Sequence, residues 1–298
     1  MENNNPLLQF ANTPSVYVDL PSLGKFYNQG DGILGVPPTR VPVCSMNAKT
    51  EMGFNNPDAL MGGEAIVNAL NQTVIGSINP KKLLVIDVEA LLLGAKLASG
   101  NRDIEYDIQC PKCGKKGRHG KDIDTLLQQF NVPDDEFVYE TKNKLKIYLQ
   151  PLIWEDHVDI TNIVFKQSTL ITTAKNEELS EEFKKRIMTE MLNLLLEIEM
   201  KTITYSIQKI TMPTGDEVTD RNLIMEFVEN LDKFTIDELS TRITHIRDDF
   251  GIDNSSTIIC NECEHEWVHQ SSRYDPTNFF SKPLAQQNSK NDQKFSKS

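Results

Sequence analysis

Two short cysteine pairs lie far apart in this chain: Cys110-Pro111-Lys112-Cys113 and Cys260-Asn261-Glu262-Cys263. A C-x-x-C turn wraps the backbone round a metal ion so that both sulfurs reach it. Two such turns complete the closed four-thiolate site in which Zn²⁺ serves a structural role. The pairs use four of the chain's five cysteines. The gap between Cys113 and Cys260 is 146 residues, against roughly 15–20 in a compact zinc ribbon. Closing a flexible loop of that length costs about 4 kcal/mol beyond a constant. Structural zinc binding contributes ~10–16 kcal/mol in small peptides. The spacing therefore predicts one ribbon split by a long insertion, with Zn²⁺ held by Cys110, Cys113, Cys260 and Cys263. A redox dithiol would instead open a helix in a βαβ unit, whereas Asp103–Gln109 reads as a strand running into the cysteines.

One competing motif needs weighing. His265-Glu266-Trp267-Val268-His269 matches H-E-x-x-H, whose histidines bind zinc from adjacent turns of one helix while the glutamate activates water. Here the motif begins two residues after Cys263, and Trp267 and Val268 favour strand. In a strand the two histidines stand roughly 13 Å apart, too far to share one ion. His265, Glu266 and His269 therefore read as polar residues of the ribbon's second hairpin, with a metalloprotease as the remote alternative. No phosphate-binding glycine loop and no G-x-S-x-G elbow occurs. His119 is a spare ligand for a filled coordination sphere, and His157 and His245 fall in predicted helices. The expectation is a chain without catalysis.

The elements that would position the knuckles are short strands and longer helices. Val16–Leu20 alternates as a strand, and the glycines and prolines up to residue 44 predict loops and short strands. Cys44 reads as a small buried residue. Asn56 caps a helix with Pro57 at its first position, and Gly62-Gly63 weakens its continuation. A second helix is predicted from Asp87 to Ala98, with Leu91, Leu92, Ala95 and Ala98 on one apolar face. Leu126–Phe130 opens the insertion, followed by a strand over Leu145–Leu149 and a helix over Trp154–Leu170. The strongest helix runs from Ser180 to Lys201 with an apolar stripe of Phe183, Ile187, Met191, Leu194, Leu195 and Ile198. Thr202–Ile210 alternates as a strand. Asp220 caps Arg221–Leu231, Thr235 and Glu238 form a capping box for a helix to Phe250, and Thr257–Ile259 leads into the second knuckle. The expected class is α+β, mostly helical with short strands.

This gives an N-terminal arm and β-rich segment over 1–50 and a helical segment leading into a strand over 51–109. The split ribbon takes 110–121 plus 257–270, a mainly helical insertion takes 122–256, and a disordered polar tail takes 281–298. The 298 residues are 39% apolar and 25% charged, ordinary for a globular chain. Met1–Phe10 lacks the basic start and apolar run of a signal peptide, and no apolar run approaches the roughly 20 residues of a membrane span. An intracellular, reducing setting is expected. The net charge of −12 weighs against general nucleic-acid binding. Lys112, Lys115, Lys116, Arg118 and Lys121 make the first knuckle basic, while Glu262, Glu264 and Glu266 make the second acidic, so the halves should attract.

Several of these features occur together in one known family. The order is Leu-Pro-Ser-x-Gly-x-x-Tyr (Leu20–Tyr27), an Asn-rich helix start (Asn55–Asp58), and Ile-Asp-Val-Glu (Ile86–Glu89). Tyr-x-x-x-Cys-Pro-x-Cys-Gly (Tyr106–Gly114) and a late Cys-x-x-Cys-x-His follow. In this the chain resembles the baseplate hub proteins of T4-like contractile-tailed bacteriophages over residues 16–270. The resemblance implies a structural subunit or assembly chaperone of the tail hub. It implies hetero-oligomeric contacts with other hub or tail proteins, in the host cytoplasm during assembly or in the virion baseplate. A zinc-ribbon protein of viral transcription or DNA handling is the alternative.

Overall fold

A computed structural model describes residues 13–27, 40–54, 56–174, 180–253 and 255–270. The expected arm, most of the Gly/Pro-rich stretch and the polar tail lie outside them. The fold is α+β, and every strand pairing is antiparallel. In chain order the N-terminal half contains β1 (Val16–Asp19), β2 (Arg40–Val43), α1 (Ala48–Gly53), α2 (Pro57–Met61), α3 (Glu64–Thr73) and α4 (Val85–Ala98). Next come β3 (Asp103–Gln109), β4 (Lys116–Asp122), α5 (Ile123–Gln128) and β5 (Phe130–Asn131). The remainder is β6 (Phe137–Glu140), β7 (Lys146–Leu149), α6 (Trp154–Ala174), α7 (Glu181–Tyr205), β8 (Ile207–Thr211) and β9 (Glu217–Val218). It closes with α8 (Arg221–Glu229), α9 (Lys233–Asp249), β10 (Gly251–Ile252), β11 (Ser255–Ile259) and β12 (Glu266–Gln270).

Two apolar cores organise these elements. The first surrounds α4, which is buried on all sides from Val85 to Ala95 rather than along one face. A helix apolar all round belongs in a core centre. β1 crosses α4 at Gly94, where an added Cβ would lie 2.2 Å from Val18 Cγ2. Ile123, Leu126, Trp154 and Ile252 complete this core, and β5 pairs with β10 beside it. The second core lies between the sheet β6-β7-β8-β9 and helices α7, α8 and α9, around Ile147, Leu149, Ile203, Ile224, Leu239 and Ile243.

Asp87 differs from its expected role. The helix begins two residues earlier, at Val85, and the carboxylate of Asp87 is fully buried. It accepts hydrogen bonds from Ser22 N (3.0 Å), Ser22 Oγ (2.6 Å) and Tyr27 Oη (2.7 Å). Tyr27 Oη in turn accepts from Leu84 N at 2.8 Å. Burial pushes the Asp87 carboxyl up, and the Ser22 and Tyr27 donors pull it back. Burial beside that carboxylate holds the Tyr27 phenol well above its usual range. These bonds fix a turn in which Leu23 (φ 51°), Gly24 (φ 79°) and Phe26 (φ 67°) are all left-handed. The same turn reaches the second half of the chain, where Lys25 Nζ donates to Pro133 O at 2.8 Å and Phe26 stacks on Phe137.

Three further expectations change. The segment from Thr202 continues α7 to Tyr205 instead of starting a strand, because Ile203 is buried and Tyr205 donates to Asp159 of α6 at 2.7 Å. Tertiary packing here overrides β-branched propensity. Asp232, not Thr235, caps α9: its carboxylate accepts from Thr235 N at 3.1 Å and Thr235 Oγ1 at 2.7 Å. Of the predicted α7 stripe, Ile187 is buried and Met191, Leu194 and Ile198 are partly buried, but Phe183 and Leu195 are exposed. The caps at Asn56 and Asp220 stand as expected, and Ser180 caps α7, accepting from Phe183 N. Cys44 is fully buried, and burial raises its thiol pKa.

Asp87→Ala leaves three donors without an acceptor, at about 1–3 kcal/mol for each buried group. The expected loss is about 3 kcal/mol or more in denaturant melts, with Tyr27→Phe costing less. Wild-type stability in Asp87→Ala would show that the turn does not depend on this carboxylate.

Candidate metal centre

The two knuckles arise from matching local geometry. β3 and β4 pair from Asp103↔Asp122 to Gln109↔Lys116, with Cys110–Lys115 as the connecting turn. β11 and β12 pair from Ser255↔Gln270 to Ile259↔Glu266, with Cys260–His265 as theirs. In the first turn Cys110 N donates to Lys115 O and Gly114 N to Cys110 O, both at 2.9 Å. In the second, Cys260 N donates to His265 O and Glu264 N to Cys260 O, again both at 2.9 Å. The fifth residue of each turn is left-handed: Gly114 at φ 72° and Glu264 at φ 54°. Glycine adopts this conformation freely, whereas a non-glycine residue there is strained. Among the described side chains of the two hairpins, the buried ones are Ile104, Ile108, Cys110, Ile258 and Cys260.

The turns meet end to end. The Sγ atoms of Cys110, Cys113, Cys260 and Cys263 all lie within 4.8 Å of one another, a cluster that could hold a metal ion. Cys110 Sγ is 3.8 Å from Cys263 Sγ, and Cys113 Sγ is 3.6 Å from Cys260 Sγ. A tetrahedron of sulfurs about 2.3 Å from a central ion has edges of about 3.8 Å, whereas a disulfide needs about 2.05 Å. The donor set and spacing thus fit a four-sulfur metal site.

The electrostatics point the same way. Backbone hydrogen bonds from the Glu262 and Cys263 positions bring the Cys260 thiol down to about 6. The backbone at His265 favours the thiolate of Cys263, but burial and the sulfurs of Cys113, Cys260 and Cys110 outweigh it, pushing that thiol up to about 12. Like charges this close resist joint ionisation; a divalent cation among them removes the conflict. The oppositely charged knuckles also meet as expected, through a Lys115 Nζ–Glu262 Oε1 pair at 2.8 Å. Lys121 Nζ donates to Ser255 O at 2.6 Å, and Arg118 approaches Glu105 and Asp107 of its own hairpin at 3.5 Å. Much of the basic patch is thus engaged within the protein.

The H-E-x-x-H residues do not form a helical site. Glu266 and His269 lie in β12, and His265 precedes it, stacked on Trp267 with centroids 5.8 Å apart. His119 lies in β4, and the metal-capable cluster among the described residues consists of the four cysteines alone. His157 packs against Trp154, and His245 pairs with Asp249. No helix among the described residues is long and apolar enough to cross a membrane. The sequence had not marked Lys121 as a bridge to the second hairpin, because its acceptors are backbone carbonyls.

The model of the family described as T4 bacteriophage base plate protein matches residues 46–281, well over half of the chain. No curated protein and no solved structure matches.

With one ion held by all four sulfurs, Cys113→Ser and Cys263→Ser would lower the melting temperature by similar amounts. The double variant should cost little more than either single one, the non-additivity of a shared site. Additive losses would mean two independent pairs. Lys115→Ala, which removes an exposed ion pair, should leave the melting temperature close to that of the wild type.

Proposed function

The chain belongs to the T4 bacteriophage base plate protein family, and on that premise we propose that it is a component of the baseplate hub, acting through protein–protein contacts. The family makes it a baseplate protein; the hub position and the division of the chain into ribbon, insertion and tail are our reading. Zn²⁺ held by Cys110, Cys113, Cys260 and Cys263 is structural in this proposal. All four coordination positions are taken by sulfur, which leaves none for a reacting water. The ion ties the end of the N-terminal half to the end of the insertion, so that the two cores present one surface to other tail proteins.

The observation that carries the reading is the meeting of four sulfurs from knuckles 146 residues apart, inside a chain of a baseplate family. The internal partners of Lys115, Lys121 and Arg118 weigh against the DNA-handling alternative, as does the net charge of −12. No residue set described above supplies a reaction, and the proposal includes no catalysis.

The test is tagged chain expressed during infection, with quantitative mass spectrometry of captured complexes and of purified particles. The expected result is recovery of tail-hub subunits in fixed proportion, reduced by Cys110→Ser. Presence in finished particles would make it a built-in subunit, and presence in subassemblies alone an assembly factor. Absence of tail proteins from the captured complexes would contradict the hub reading.

A further inference from the structure

Helix α7 carries a second apolar stripe that no part of the described chain covers. Met188, Leu192, Leu195 and Leu196 are 60%, 54%, 49% and 59% exposed. With Lys185 before them and Glu199 after, positions 185, 188, 192, 195 and 199 repeat at alternating steps of three and four. That is the spacing of a helix–helix seam. The stripe lies beside the more buried face of Ile187, Met191, Leu194 and Ile198, about a third of a turn round the helix. Towards the C-terminus the same face runs into Ile203, which is buried in the second core. The stripe is thus an apolar surface continuous with a core but open for about 12 Å between Met188 and Leu196. Exposed apolar surface of this kind marks an interaction site.

The charges at its ends identify the occupant. Beside the stripe, Lys184, Lys185 and Arg186 follow Glu181 and Glu182 at the N-terminal end, and Glu197 and Glu199 precede Lys201 at the C-terminal end. Lys184 pairs within the helix with Glu181 at 3.0 Å, and Glu197 with Lys201 at 3.4 Å. Lys185 and Glu199 make no ion pair within 4.0 Å with a described residue, although the field of Glu199 reaches Lys233 of α9. A parallel copy of this helix would set base on base and acid on acid. An antiparallel copy matches both ends at once.

We propose that a second copy of this chain docks antiparallel on the outer stripe of α7, with the two-fold axis at Leu192. This register sets Leu192 against Leu192, Met188 of each copy against Leu196 of the other, and Lys185 of each against Glu199 of the other. The contact is isologous, so one patch serves both copies and the assembly closes at two. A single helix face is a small interface, and the dimer is concentration-dependent. It depends neither on the metal nor on the place of the protein in the baseplate.

The test is sedimentation equilibrium of the full chain over a concentration series, with circular dichroism to confirm helix content. The expected result is a monomer–dimer equilibrium that Leu192→Asp weakens at least tenfold. Lys185→Glu and Glu199→Lys should each weaken it severalfold, and the double swap Lys185→Glu with Glu199→Lys should restore it. A monomer at every concentration would overturn the proposal, as would a dimer indifferent to Leu192→Asp. Failure of the double swap to restore what the single changes lose would also overturn it, leaving the stripe to another protein.

Discussion

The approach of four sulfurs across a 146-residue excursion is the contact on which this architecture turns. The two hairpins that carry them are separate two-stranded sheets with few buried side chains, and such hairpins are marginal alone in water. A metal ion would supply the missing stability directly, since binding energy at such a site is folding energy. The chain does not rely on the metal to bring its ends together. β5 already pairs with β10, and Ile123 and Ile252, from either end of the excursion, share the first core. The loop-closure cost is therefore largely met by packing, and the sulfur site locks an approach that the core has made. At that junction backbone hydrogen bonds pull the Cys260 thiol down, while burial and the neighbouring sulfurs push the Cys263 thiol up.

A second junction works by hydrogen bonding. The turn from Ser22 to Tyr27 wraps the buried Asp87 of α4 on one side and touches Pro133, Asp135 and Phe137 on the other. Its left-handed residues are costly unless their surroundings over-determine them, and four hydrogen bonds at one carboxylate and one phenol do so. Further along, Asp156 of α6 and Arg221 of α8 form a two-pronged ion pair at 2.6 and 2.7 Å. Burial raises the Asp156 carboxyl, and the guanidinium counters it. The Ser22–Tyr27 turn thus joins the N-terminal half to the insertion, and the Asp156–Arg221 pair ties α6 to α8 within the insertion.

Much of this was legible from sequence where the signal was local. The C-x-x-C turns, the strand entering the first, and the caps at Asn56 and Asp220 depend on a few adjacent residues. The structure has them as read. β4 was not legible, because Lys-Gly-Arg-His-Gly-Lys-Asp has no apolar alternation and becomes a strand only by pairing with β3. Asp87 was misread as a helix start because its partners lie 60 and more residues away. Leu-Pro-Ser-x-Gly-x-x-Tyr and Ile-Asp-Val-Glu had been visible as motifs, and the structure supplies the reason they occur together: Ser22 and Tyr27 of one bind the Asp87 of the other. The stripe on α7 was half legible. Periodicity found an apolar face but could not say that Leu195 belongs to a second face turned outward.

The central claim is that one metal ion bridges the two halves through sulfur alone. X-ray absorption at the zinc edge of the purified chain, with total metal measured on the same sample, tests it most directly. The account predicts one zinc per chain with a single shell of four sulfurs at about 2.3 Å. A shell containing nitrogen would bring His119, His265 or His269 into the site and contradict it, as would a chain that folds fully with no metal bound.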